Sequence, residues 1–257
     1  CLEIADLPNT FVGCEVTTYF PEDRCKLHVL TYRISETQFK EIDSLRENVF
    51  ELIPYLAQEK IMHSLAHPLG AVNDRMTVEH FEQCLLLFKH FELNRNQDAM
   101  VNHTLHHVLT QLTPADIEQL IDIHGIEPWF EKPWTKGLTG GSDDHSSVNI
   151  AHTYTEIAGA RSVDEFCAGL AENQGRVGFQ RPCTPLTMAH HLYGVAYQFY
   201  NSKLNLDRYY EHNILMRFLD RMLQIRERRE PRLWARLYSR MRSTVKPTRA
   251  PADRASM

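Results

Sequence analysis

The sequence predicts an α/β fold built on a sheet, and three observations lead there. Strand-like and helix-like segments alternate along most of the chain, which argues for a parallel sheet, open or closed into a barrel. Residues of metal-ligating type recur where strands end and loops begin, the place where such folds carry their chemistry. The length of 257 residues suffices for one large domain, such as an α/β barrel, or for two small ones.

The elements follow in order. Leu2 to Leu7 reads as the end of a helix closed by a Pro-Asn turn, as though the chain opened inside a domain. Phe11 to Tyr19 is β-branched and aromatic and predicts a strand, and Leu27 to Tyr32 predicts a second. Ser35-Glu36-Thr37-Gln38 fits a capping box, and the apolar spacing after it predicts one helix to about Gln58. Ile61 to Ala66 reads as a short strand ending at His67-Pro68. A helix over Thr77 to Phe88 leads to a strand at Phe91 to Leu93. Asn102 to Leu112 is helical. Thr113-Pro114 opens the next helix as N-cap and first-turn proline, and Gly125 ends it. Lys136 to Thr139 reads as a strand, as does Thr153 to Ile157. Ser162 to Glu165 caps a further helix, Arg176 to Phe179 is a strand, and Thr187 to Phe199 a helix.

An apolar content of 43% and a charged content of 24% are ordinary for a globular protein. No apolar run approaches the ~18 residues a membrane span requires, and nothing reads as a signal peptide. Cys1, Cys14, Cys25, Cys84, Cys167 and Cys183 are scattered with no Cys-x-x-Cys pair, so reduced thiols in a cytosolic protein are expected. Fourteen histidines are many for this length. From Arg217 to Arg254 twelve Lys/Arg face four acids, so the whole-chain charge of −5 divides into an acidic body and a basic tail.

The stretch Gly140-Gly141-Ser142-Asp143-Asp144-His145-Ser146 is the most informative. It follows a strand, and side chains two residues apart there point the same way. Asp143 and His145 can therefore face one pocket, where a carboxylate and an imidazole suit Zn²⁺, Mn²⁺ or Fe²⁺. Glu15 lies amid Val, Thr and Tyr, where a carboxylate is costly to bury unless paired or bound to metal. His28 interrupts the apolar run Leu27-His28-Val29-Leu30, and His67 closes a strand before a proline. Taken singly, a strand Glu can pair with an Arg, and a strand His is more often a hydrogen-bonded core residue than a ligand. Five such residues at like positions of a βα pattern point to one metal site.

The stretches Gly13-Cys14-Glu15-Val16-Thr17-Thr18, Leu27-His28-Val29-Leu30, Ala66-His67-Pro68-Leu69 and Gly141-Ser142-Asp143-Asp144-His145 resemble the PHP (polymerase and histidinol phosphatase) family of metal-dependent phosphoesterases, over about residues 1–200. Thr18 to Asp23, Phe91-Glu92-Leu93-Asn94 and Thr153 to Glu156 are similar to a bacterial subgroup found beside glycosyltransferase domains. The resemblance implies a distorted βα barrel of seven strands. It implies metal ligation by Glu15, His28, His67, Asp143 and His145, with up to three divalent ions (Zn, Mn or Fe) in a complete site. It also implies a small phosphate ester as substrate, attacked by metal-activated water, and a cytoplasmic setting with a glycosyltransferase partner. Asp144, Asn73 and Trp134 are expected to orient ligands or substrate. Family members begin with a His-x-His strand and a Thr-Asp-His strand, and nothing of that kind precedes Cys1. The expected form is thus a PHP-type barrel lacking its first strands over residues 1–205, with a basic helical tail over 206–257. A non-catalytic PHP-like module, structural or regulatory, is the alternative.

Several features are read more plainly. His103, His106 and His107, at helical spacing, and His190-His191 read as polar helix faces. Trp129 and Trp134 suit a pocket wall and the packing of a long loop equally. In the tail, Ile214, Leu215, Phe218, Leu219 and Met222 precede the break at Pro231, and Leu233, Trp234, Leu237, Tyr238 and Met241 follow it. This basic amphipathic stretch reads as a helix docked on an acidic body, with disorder expected from Lys246 on. A nucleic-acid partner would rest on the tail alone.

Overall fold

The computed structural model describes residues 7–70, 72–94, 99–146, 149–180 and 184–204. The expected helix end at Leu2 to Leu7 falls almost wholly outside them, and the basic tail over 206–257 does so entirely. The chain divides into two units. One holds residues 1–144 and 149–189, the other residues 145–148 and 190–257.

The first unit is mixed α/β. A sheet has the order β1-β2-β3-β4-β5, formed by Gly13–Tyr19, Lys26–Tyr32, His63–Leu65, His90–Asn94 and Gly137–Gly141. A separate antiparallel pair joins β6 (Thr153–Glu156) to β7 (Arg176–Phe179). The sheet is not wholly parallel as the alternation predicted. β1, β2 and β3 are successively antiparallel, whereas β3, β4 and β5 run parallel. The physical reason is the connection: β1 returns as β2 through a short turn with Phe20 N–H donating to Cys25 O (2.9 Å), and a parallel pair needs a crossover of a dozen or more residues. No closed barrel is present among the described residues.

The helices form where local signals place them. α1 (Glu36–Leu45) starts at the Ser35/Gln38 capping box, but it does not run to Gln58. Asn48 accepts from Phe50 N–H and starts α2 (Val49–Gln58), so one expected helix is two. α3 (Val78–Leu87) is capped by Thr77. α4 (Ala99–Gln111) is followed by α5 (Pro114–His124), which Thr113 caps and Gly125 closes at φ 66°. α6 (Val163–Ala171) starts at Ser162.

One sheet face carries Val16, Thr18, Leu27, Val29, Leu65 and Phe91, all buried, against Ile42, Leu52, Ile53 and Leu56 of α1 and α2. The opposite face is polar and concave. On it Ser64 Oγ and Thr139 Oγ1 lie 2.8 Å apart although β4 runs between their strands. Next-but-one strands of a flat sheet stand ~9.5 Å apart, so two short side chains touch across β4 only where the sheet curls sharply. β6 continues past β5 at close range: Gly140 N–H donates to Thr155 Oγ1 (2.8 Å), and a Cβ at Gly140 would meet Tyr154 O at 2.6 Å. Phe11, just before β1, stacks on Phe166 of α6 (centroids 6.4 Å), and Arg33 pairs with Asp164.

α7 (Pro185–Leu204) ends the first unit and continues into the second from His190. Within the second unit Gly194 packs on Ser146, with space for a Cβ only 2.7 Å from Ser146 Cβ. His190 is exposed but His191 is buried, so only the first of that pair lies on a polar helix face. No described helix is long and apolar enough to cross a membrane.

Candidate metal centre

The hairpin register decides which side chains meet. Glu15 pairs with Leu30 and Thr17 with His28, so Glu15 and His28 are diagonal neighbours on the concave face. His67 arrives from elsewhere. It follows β3 at φ 29°, a left-handed conformation that a side chain other than glycine's rarely adopts, and its N–H donates to Glu92 Oε2 (2.9 Å). The preceding Ala66 N–H donates to His28 O (2.9 Å), tying this corner to β2.

Three donor atoms converge as a result. His28 Nδ1 stands 2.7 Å from Glu15 Oε1 and 3.2 Å from His67 Nε2, and His67 Nε2 lies 3.6 Å from Glu15 Oε1. Among the described residues this is the group of three whose ligand atoms all fall within 4.8 Å of one another. Two imidazoles and a carboxylate bonded to one ion at about 2.0–2.2 Å would hold their donor atoms about 3.0–3.5 Å apart, close to the spacing found. The residues present therefore fit a divalent metal ion.

The surroundings are acidic. Hydrogen bonds from His28, then His67, hold the Glu15 carboxyl well below the usual range against the opposing effect of burial. For His67 burial is the largest single influence and disfavours the charged form. The hydrogen bond to Glu15 and the charges of Asp143, Glu92 and Glu15 together outweigh it and raise the pKa. Glu92 is 4% exposed, and burial raises its pKa, with Asp143 adding to the rise.

Of the residues expected at the site, Glu15, His28 and His67 come together. Asp143 follows β5 at φ 42° and is not part of the three-residue group, although its charge bears on both His67 and Glu92. His145 belongs to the second unit. Asp144 Oδ2 accepts from Asn149 N–H (3.0 Å). Asn73 pins the hairpin instead of touching the cluster: its Oδ1 accepts from Lys26 N–H (3.1 Å) and its Nδ2 donates to Arg24 O (2.8 Å). Trp134 precedes β5, at the strand end away from Asp143, which favours loop packing over a wall for this site. Trp129 is 52% exposed and lines a cavity of about 290 Å³ with His63, Lys89 and His90, at the opposite ends of β3 and β4 from His67. His103, His106 and His107 are exposed on α4.

Sequence reasoning missed Glu92 as a site residue. Its Oε2 accepts from His67 N–H and from Asn94 Nδ2 (3.0 Å), and Gly141 on β5 leaves room for its carboxylate, which a Cβ there would strike. The signal was present: a carboxylate inside the apolar strand Phe91-Glu92-Leu93 raises the same question as Glu15. No protein-family model matches the chain, and no curated protein matches it.

Proposed function

We propose that this chain is a metal-dependent phosphoester hydrolase of the PHP type, its curled sheet forming part of a distorted barrel. The convergence of Glu15, His28 and His67 carries the reading. Glu15 supplies negative charge to the ion, His28 and His67 supply neutral nitrogens, and Glu92 fixes the strained turn that aims His67. Asp143 adds a charge beside them. A mixed nitrogen and oxygen set suits Zn, Mn or Fe. Such an ion supplies Lewis acidity, lowering the pKa of water and neutralising charge on a phosphoryl oxygen. The substrate is a small phosphate ester, and the setting cytoplasmic beside a glycosyltransferase.

The test is elemental analysis of the purified chain and of a Glu15→Ala variant, followed by phosphate release from a small monoester with and without added manganese. The expected result is about one equivalent or more of metal in the parent, lost in the variant, with metal-dependent hydrolysis. Metal without hydrolysis would favour the non-catalytic module. No metal in either protein would sink both the site and the activity.

A further inference from the structure

Lys26 lies one register step from the ligand cluster and plays no part in it. It begins β2 and pairs with Tyr19, and the alternation that puts Glu15, Thr17 and Tyr19 on one face of β1 puts Lys26 and His28 on the same face of β2. Two residues along a strand span ~6.8 Å, a distance that a flexible lysine side chain can cover toward the space in front of His28. Thr17, opposite His28, is a diagonal neighbour of Lys26 on the same face.

Lys26 is a half-buried residue whose ammonium meets no carboxylate among the described residues. Its recorded contacts are its backbone bond to Asn73 and a loose approach to the Tyr19 ring, with Nζ 6.0 Å from the centroid, at the outer limit of a cation–π contact. Its neighbours differ. Arg24 pairs with Glu47 at 2.8 Å and covers the Tyr19 ring at 3.8 Å, so ring and hairpin are held without Lys26. Asn73 then clamps the hairpin on both sides, at Arg24 O and Lys26 N. A purely structural Lys26 would be a cross-strand partner for Tyr19, but Arg24 already fills that place at shorter range. A cation fixed at its backbone, uncommitted at its head among the described residues and on the same sheet face as a metal-ligand cluster is suited to an anion bridging the two.

We propose that Lys26, with Thr17 beside it, binds the terminal phosphate of a phosphomonoester whose other oxygens face the ion held by Glu15, His28 and His67. The inference rests on the reading of those three residues as a metal site. Lys26 contributes charge and a directed N–H donor, and the Thr17 hydroxyl a second donor. A diester, with two of its oxygens esterified, would give this pair less charge to hold.

Inorganic phosphate is the probe, followed through the ³¹P relaxation that bound Mn²⁺ induces, in the parent chain and in Lys26→Met and Lys26→Arg variants. Manganese stoichiometry is measured on each protein separately and also serves as the check on folding. Lys26→Met is expected to bind phosphate at least about tenfold more weakly at unchanged manganese content, with Lys26→Arg recovering most of the loss. Phosphate binding equal to the parent's in manganese-loaded Lys26→Met overturns the assignment while leaving the metal site standing. A parent chain that takes up no manganese overturns the metal site, and the assignment with it.

Discussion

Glu15 presents one oxygen to two imidazoles, and that arrangement fixes how the centre responds to pH. Its carboxyl is held below the usual range, so in metal-free protein its contribution to stability is present above the unfolded carboxyl pKa of about 4.3 and lost as pH falls toward the depressed folded value. His67 runs the other way. Its pKa is raised, so its contribution is present below the unfolded value of about 6.5 and lost as pH climbs through the raised one. In metal-stripped protein the urea midpoint of the parent relative to that of His67→Ala should accordingly be higher at pH 5.5 than at pH 8. Metal binding inverts the dependence, because an ion needs the neutral imidazole. Calorimetric titration with Zn²⁺ near neutrality should release protons and tighten as pH rises, and a pH-independent affinity would count against His67 as a ligand. For Glu92 the sequence shows a carboxylate out of place in an apolar strand but not its partners, which exist only once β3 and β5 are laid beside it.

At the scale of elements, legibility followed locality. The capping box at Ser35 and the N-cap at Thr113 are set within four residues of sequence and both formed. The break at Asn48 was missed because the apolar spacing of α1 runs smoothly into that of α2, and only the Asn48 cap separates them. β5 shows what distance conceals. A Gly141→Ala change looks mild in the sequence, yet its Cβ would strike the Glu92 carboxylate. We expect it to lower stability by about 1–3 kcal/mol in urea titration and to weaken metal binding through the displaced Glu92. Lys136, one residue before β5, is a second case. Its ammonium donates to Leu85 O and Phe88 O at the end of α3 and lies 4.8 Å from the centre of the Phe130 ring, and burial pushes its pKa down to about 7. The folded state then binds fewer protons than the unfolded one between pH ~7 and ~10.4, so this group makes stability rise with pH across that window. The rise should appear as the difference between parent and Lys136→Met urea midpoints at pH 7 and pH 9.5. A constant difference would mean that the amine keeps its proton.

For the whole molecule, the sequence made the α/β class and most strands readable, but not the antiparallel start of the sheet. Parallel and antiparallel strands carry the same alternation, and only the short turn from Tyr19 to Lys26 distinguishes them. That turn is also what makes the site: in an antiparallel pair Glu15 and His28 become diagonal neighbours, and β3 then delivers His67 to the same face. The three candidate ligands thus lie on or just after strands whose pairing exists only in the folded chain, and an ion held by them would bind the folded state in preference to the unfolded one. Linkage sets the size of the effect. At a free-metal concentration a hundred times the dissociation constant, stability should rise by about 2.7 kcal/mol. Each tenfold increase in free metal beyond that should add about 1.4 kcal/mol, so the thermal midpoint climbs with the logarithm of metal concentration. His28→Ala removes one donor without touching the opposite, apolar face of the sheet. Its midpoint should stay nearly flat in the same titration, although the change is half-buried and need not disturb the metal-free value greatly. A parent chain whose midpoint ignores zinc and manganese alike would mean that the three residues form a hydrogen-bonded cluster complete in itself.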